Sequence, residues 1–182
     1  YIEVFCMEIK IEKMDHTGNG IGFYDGKICF IPKSVVGDIV DVSFIKSTKK
    51  YNIGKVEKIV KSSDSRIDSI CPYYQLCGGC NINNLSYDEQ LEFKKNKVKN
   101  IFKKYLNLDI NPNIIGNCDE YKYRNKITFH VNNKKIGLVS IDGDIIDIDN
   151  CLLVSDKVNE LYNLIRKEDL SLVKKIFKTY YF

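Results

Sequence analysis

Gly22-Phe23-Tyr24-Asp25-Gly26-Lys27-Ile28-Cys29-Phe30-Ile31 reads as two short strands joined by Asp-Gly. That dipeptide supplies positive φ at both central positions of a tight hairpin turn. Upstream, Met7-Glu8-Ile9-Lys10-Ile11-Glu12-Lys13-Met14 alternates apolar and charged residues with period two, the pattern of a half-buried strand. Gly18-Asn19-Gly20 marks the turn between them. Downstream, Pro32 and Gly37-Asp38 punctuate the chain before Ile39-Val40-Asp41-Val42-Ser43-Phe44, and Asn52 to Val60 completes the series. Five short strands with turn signals between them predict a small five-stranded barrel of the OB type. Its most basic loop carries Lys46, Lys49 and Lys50 beside Tyr51.

Ser62-Ser63-Asp64-Ser65-Arg66 is polar and aperiodic and reads as a linker. Beyond it stands Cys71-Pro72-Tyr73-Tyr74-Gln75-Leu76-Cys77-Gly78-Gly79-Cys80. Three thiols on one short loop can grip one metal centre. The two glycines between Cys77 and Cys80 are expected to enter φ > 0 and bring amide N–H groups to the sulfurs. Such hydrogen bonds tune the potential of an iron–sulfur cluster. Zinc sites are more often built from two short Cys or His pairs, so a cluster suits this spacing better than zinc. A radical-enzyme cluster would leave one iron open and need no further cysteine. A fourth ligand must come from Cys6, Cys29, Cys118 or Cys151. Cys29 lies in a strand and reads as core, and Cys6 lies near the start of the chain. Spacing leaves Cys118 and Cys151 as rivals.

Ser86-Tyr87-Asp88-Glu89 is a capping box that opens a helix with an apolar face at Leu91, Val98, Ile101, Phe102 and Tyr105, ended by Leu106-Asn107 and Pro112. From Tyr121 the pattern returns to strands. Ile127, Phe129 and Val131 alternate with Lys126, Thr128 and His130, and turns at Asn132-Asn133 and Asp142-Gly143 give an antiparallel meander ending near Cys151. Ser155-Asp156 then opens a helix bearing Val158, Leu161, Leu164 and Ile165. Tyr121-Lys122-Tyr123-Arg124-Asn125-Lys126 interleaves aromatics with cations, as an RNA-contacting strand would.

The 182 residues carry a net charge of +4 and 44% hydrophobic residues, enough for packed cores. No apolar run approaches the ~20 residues that span a bilayer, so no membrane partner is expected. Seven cysteines cannot all pair, and no secretory signal opens the chain, which points to the reducing cytoplasm. The basic excess on the first helix (Lys94, Lys95, Lys97, Lys99, Lys103 and Lys104) is compatible with RNA and also with a plain solvated face. Only His16 and His130 could serve as histidine bases, and neither has a partner nearby in sequence. No phosphate-cradling glycine loop is present. No catalytic residue is assigned in this chain.

The cysteine loop resembles that of the iron–sulfur class of RNA uracil-5-methyltransferases, whose signature is Cys-x5-Cys-Gly-Gly-Cys with a distant fourth cysteine. The barrel, particularly Lys13 to Gly22 and Val36 to Val40, resembles the TRAM domain that this family uses to hold RNA. The helix opening at Leu85-Ser86-Tyr87 and the Tyr123-Arg124-Asn125-Lys126 segment follow in the family's order. The resemblance implies an α+β chain in two domains. Residues 1–62 would be the TRAM barrel, and residues 63–182 an α/β domain with the cluster loop and meander. It makes Cys71, Cys77, Cys80 and Cys151 the ligands of a 4Fe-4S cluster. It makes Lys46, Lys49, Lys50, Arg124 and Lys126 contacts to structured RNA.

In that family S-adenosylmethionine provides the methyl group, a cysteine attacks carbon 6 of uracil, and carbon 5 is methylated. Those groups lie in a C-terminal Rossmann-like domain, against which the first helix packs. That domain is expected to be absent here, because the chain begins at Tyr1 and ends on the aromatic run Lys178 to Phe182, as an N-terminal piece would. The piece alone is expected to be inactive, with no obligate protein partner. A 23S rRNA substrate fits the pairing of barrel and cluster. A tRNA uracil-5-methyltransferase is the alternative, as is a freestanding RNA-binding or redox-sensing iron–sulfur module.

Overall fold

The computed structural model describes residues 6–132 and 135–168. The expected turn residue Asn133 and the aromatic run 178–182 lie outside the described residues. The chain packs as two compact units. One comprises Tyr1–Ser69 with Asn81–Ile115, and the other Ile70–Cys80 with Gly116–Phe182. A division at 62/63 follows chain order, whereas packing places the first helix with the barrel and sends the cysteine loop to the second unit.

In the first unit, β1 (Met7–Lys10), β2 (Lys13–Met14), β3 (Gly20–Tyr24), β4 (Lys27–Ile31), β5 (Ile39–Ser47) and β6 (Tyr51–Lys61) form one sheet in the order β1-β5-β6-β4-β3-β2. Six strands stand where five were expected, because the Met7–Met14 segment changes neighbours. Met7 to Lys10 pair with β5, whereas Lys13 and Met14 pair with β3. The corner is made by the Ile11 N–H donating to Asp38 O at 2.8 Å and the Glu12 N–H to Ile21 O at 2.9 Å. Since β1 and β2 are halves of one bent strand, the two ends of the order meet and the sheet closes into a barrel. Ile9, Ile11, Cys29, Ile31, Val40 and Val42 fill it. The β3–β4 hairpin turns as its sequence requires, with Asp25 at φ 49° and Gly26 at φ 71°.

The expected linker is instead pinned. Asp38 is fully buried and takes Nη2 of Arg66 at 2.6 Å and the Ser63 N–H at 2.9 Å. Arg66 Nη2 also donates to Lys33 O at 2.8 Å. A polar run of small residues gives no local sign of this pairing, which joins residues 28 positions apart.

The helix α1 (Tyr87–Leu106) has the expected capping box, Ser86 with Glu89, and stops on Asn107 in the left-handed region at φ 52°. None of its residues is fully buried, and Val98, Ile101, Phe102, Tyr105 and Leu106 are exposed.

In the second unit, β7 (His130–Val131), β8 (Ile136–Val139) and β9 (Ile145–Ile146) form the antiparallel meander. The helix α2 (Asp156–Ile165) buries Tyr162, 1% exposed, while Leu161 and Leu164 face solvent. Tyr162 outcompetes them because it serves both packing and polar needs. Its ring stacks on Phe129 at 4.1 Å, and its hydroxyl meets Asp147 Oδ1 at 2.9 Å and Ile136 O at 3.1 Å. Burial, with Asp147 nearby, pushes that hydroxyl up to about 12. Among the described residues no helix is long and apolar enough to cross a membrane.

Candidate nucleic-acid interface and metal centre

The β5–β6 hairpin carries Lys46, Lys49 and Lys50, all exposed. Its tip is held by Thr48, whose Oγ1 donates to Tyr51 O at 2.8 Å and accepts the N–H groups of Lys50 and Tyr51 at 3.2 and 3.0 Å. Tyr51 meets Phe30 edge-on with ring centres 5.9 Å apart, and Tyr24 meets Phe44 at 5.6 Å. Phe23 and Tyr24 are exposed. The outer side of the barrel therefore offers aromatic faces and lysines together, the two ingredients of sequence-tolerant binding to unstacked bases and phosphates. The aromatic pairs went unread in the sequence because they join residues on different strands.

Arg124 and Lys126 belong to the second unit and are exposed. Their segment is not the strand its alternation suggests. Lys122 lies at φ 57°, which breaks an extended run, and only Arg124 makes a bridge, to Val154. The backbone is secured by the Lys122 N–H to Leu152 O at 2.9 Å and the Arg124 N–H to Leu153 O at 2.8 Å. The Arg124 guanidinium stands 5.8 Å from the Tyr123 ring centre.

The cysteine loop folds against the meander. The Gly78 N–H donates to Val139 O at 3.0 Å, the Ile141 N–H to Leu76 O at 3.0 Å, and Cys77 bridges Ser140. Neither Gly78 nor Gly79 adopts positive φ. The expectation of positive φ is corrected for both: at Gly78 close approach rather than handedness favours glycine, and at Gly79 the backbone carries the amide to the sulfur. A Cβ at Gly78 would stand 3.1 Å from Val139 O, and the Gly79 N–H reaches Cys77 Sγ at 3.3 Å.

Cys71 and Cys80 both lie near enough to Tyr121 for thiolate charge to act on its hydroxyl, which burial first, then Glu120 and these two cysteines, push upward. Cys151 packs on the same core as Tyr73, and its neighbour Leu152 is bonded to Lys122, next to Tyr121. Cys118 is exposed in the same unit, and Cys29 is in the barrel core. Among the described residues, no three His, Cys, Asp or Glu side chains are grouped so as to hold a single metal ion. A 4Fe-4S cluster makes a different demand, since each thiolate binds its own iron and the sulfurs stand apart around the cluster. The second unit holds five thiols, Cys71, Cys77, Cys80, Cys118 and Cys151, enough to supply that donor set with either Cys118 or Cys151 as the fourth.

These features define the class: a TRAM-barrel protein whose second unit carries a cysteine-rich loop. Residues 6–56 match the TRAM domain. The chain is 37% identical over 169 residues to an uncharacterized RNA methyltransferase of Clostridium acetobutylicum, covering 88% of this chain and 37% of that relative. A 23S rRNA (uracil(1939)-C(5))-methyltransferase of Psychromonas ingrahamii is 37% identical over 97 residues, 53% of this chain and 22% of that relative. The solved structure of Pyrococcus abyssi tRNA (uracil-54, C5)-methyltransferase, in complex with S-adenosyl-L-homocysteine, superposes with a TM-score of 0.64 at 27% identity. It covers 88% of this chain and 36% of that one. The chain contains a TRAM domain and is similar to RNA methyltransferases, and it spans little more than a third of the length of relatives such as the Clostridium protein.

Proposed function

We propose that this chain is the RNA-holding and iron–sulfur portion of an S-adenosylmethionine-dependent methyltransferase acting on carbon 5 of a uridine in 23S rRNA. The observation that carries this reading is the exposed lysine and aromatic face of the TRAM barrel, in a chain whose relatives are RNA methyltransferases. Lys46, Lys49 and Lys50 meet phosphates, with Arg124 and Lys126 adding contacts from the second unit. The attacking cysteine and the cofactor site belong to the greater part of the relatives' length, which this chain does not span.

Cys71, Cys77, Cys80 and Cys151 hold a 4Fe-4S cluster. Support comes from the donor set and from the packing of residues 70–80 with Cys151 rather than with the barrel. A bound cluster supplies iron–thiolate bonds that cross-link the loop to the end of the meander. A tRNA substrate is the second reading, favoured by the likeness to the tRNA enzyme.

The test is fluorescence anisotropy with a 23S rRNA stem-loop and with a tRNA. Binding should weaken with salt at roughly 0.7 logarithmic units per neutralised phosphate, and joint replacement of Lys46, Lys49 and Lys50 by alanine should flatten that slope. A triple variant that binds both RNAs as the parent does removes the barrel from the interface. Tighter binding to tRNA than to the stem-loop selects the second reading.

A further inference from the structure

Two tight hairpins of the barrel unit are turned by different means. In the β3–β4 hairpin Asp25 and Gly26 carry the bend themselves, both at positive φ. In the β5–β6 hairpin the two residues between Thr48 and Tyr51 are Lys49 and Lys50, and neither lies at positive φ. Lysine lacks what lets asparagine, aspartate and glycine turn a backbone unaided. The bend is made instead by the residue before the pair. The Thr48 N–H donates to Tyr51 O at 2.9 Å, and Thr48 Oγ1 donates to the same oxygen at 2.8 Å. Oγ1 also accepts the N–H groups of Lys50 and Tyr51 at 3.2 and 3.0 Å. One hydroxyl thus uses its donor and both of its acceptor sites on the tip.

The base of the hairpin is fixed as well. Asn52, 2% exposed, donates through Nδ2 to Cys29 Sγ at 3.6 Å and accepts Ser47 Oγ at 2.8 Å, which ties both arms to β4. Phe44 stands opposite Gly54, but Lys46 stands opposite Ile53, so Ile45 is one residue extra. Without that bulge Lys46 would stand opposite Asn52, whose side chain is buried. The bulge brings Lys46 to the exposed side.

We propose that Thr48 is a positioning residue for RNA binding, whose hydroxyl holds the tip bearing Lys49 and Lys50, beside Lys46, in its receiving shape before RNA arrives. This rests on the reading of those lysines as phosphate contacts and adds what orders them. A turn that only had to close would be served by asparagine or glycine, as at Asp25-Gly26. Two cations held by a neighbour's hydroxyl instead put charge at the tip itself. A tip ordered only on binding would lose its backbone freedom at that moment and subtract the loss from affinity. Thr48 moves that loss into the folding of the hairpin.

The test uses the whole chain with the 23S rRNA stem-loop and reads affinity and salt slope by anisotropy. Thr48→Val keeps the branched shape and deletes the hydroxyl. It should weaken binding about five- to thirtyfold, as freeing roughly one residue's backbone would. The salt slope should stay unchanged, because the same lysines still meet phosphates. Thr48→Ser, which keeps the hydroxyl, should bind as the parent does. Amide exchange at Lys50 and Tyr51 should quicken in the valine variant and not in the serine one. Both variants should melt with the parent, since the tip lies outside the barrel core. A serine variant as weak as the valine one would overturn the assignment, because the hydroxyl is then not the agent. So would a valine variant whose slope falls by a lysine's share of roughly 0.7, because contacts are then lost rather than made harder to order. If the valine variant binds as the parent does while the Lys46, Lys49 and Lys50 triple variant is weakened, the positioning role fails and RNA binding by the barrel stands. If neither variant weakens binding, both readings fail.

Discussion

The hydroxyl of Tyr73 and Asp149 are joined in both directions. Tyr73 Oη donates to Asp149 Oδ2 at 2.9 Å, and the Asp149 N–H donates to Tyr73 Oη at 2.9 Å. One side chain on the cysteine loop thus holds the backbone two residues before Cys151. Arg166 extends the contact, reaching Asp149 Oδ1 at 3.2 Å, Asp147 Oδ2 at 2.8 Å and Ile148 O at 2.8 Å. A tyrosine, two aspartates and an arginine thus tie the cysteine loop to the segment that leads into Cys151.

Tyr73→Phe keeps the ring and deletes both of these hydrogen bonds. The expected cost is about 1 kcal/mol in stability of the second unit, since each bond exchanges with water. Urea unfolding of the metal-free chain measures it. If the tether orients the cysteines, the variant should also lose iron faster to a chelator than the parent does.

The ligand assignment makes a sharper prediction. Anaerobically purified chain should be brown and hold about four irons and four sulfides. Serine at Cys71, Cys77, Cys80 or Cys151 should abolish this. Cys118→Ser, at an exposed thiol, should retain it, and so should Cys29→Ser, whose effect should be confined to barrel stability. Zinc bound without sulfide would refute the cluster. Retention in Cys151→Ser with loss in Cys118→Ser would move the fourth ligand to Cys118.

Local chemistry made the barrel readable. The Asp25-Gly26 turn, the alternation along β4 and the capping box of α1 are each decided by residues within a few positions of one another, and each stands as expected. Contacts set by distant parts of the chain were not readable. Nothing in Ser62 to Arg66 announces that Arg66 reaches Asp38, and nothing in α2 ranks Tyr162 above Leu161 and Leu164 until Phe129 is stacked on it. The Tyr121 to Lys126 segment misled because its aromatic–cation alternation lies in the sequence only: Lys122 to Lys126 are all exposed, and Lys122 at φ 57° prevents a strand. The cysteine spacing proposes a metal but carries no sign of Tyr73 and Asp149, which lie 76 residues apart.

If methyl transfer resides outside this chain, titration with S-adenosylmethionine should give no heat of binding, and no tritiated methyl should reach bulk ribosomal RNA. Turnover by these 182 residues would overturn that placement of the chemistry.

The Asp38–Arg66 pair predicts how the barrel unit responds to acid. Burial alone would raise the Asp38 carboxyl. The Arg66 hydrogen bonds and the N–H groups of Ser63 and Val35 outweigh it and hold the group below its ordinary 3.8. A carboxyl depressed in the folded state contributes stability that is fully present above its unfolded value and is lost as pH falls through the folded one. Unfolding free energy should therefore be flat in this respect above about pH 5 and decline below pH 4. Asp38→Asn should remove that part of the decline. It should also cost about 3–5 kcal/mol at neutral pH, because Arg66, 6% exposed, is left as a buried cation without its anion. Arg66→Met, which removes the cation together with its charge demand, should leave Asp38 to the Ser63 and Val35 amides and raise the midpoint of acid unfolding. An unchanged acid profile in both variants would mean that the pair is solvated in solution and does not pin residues 62–66 to the barrel.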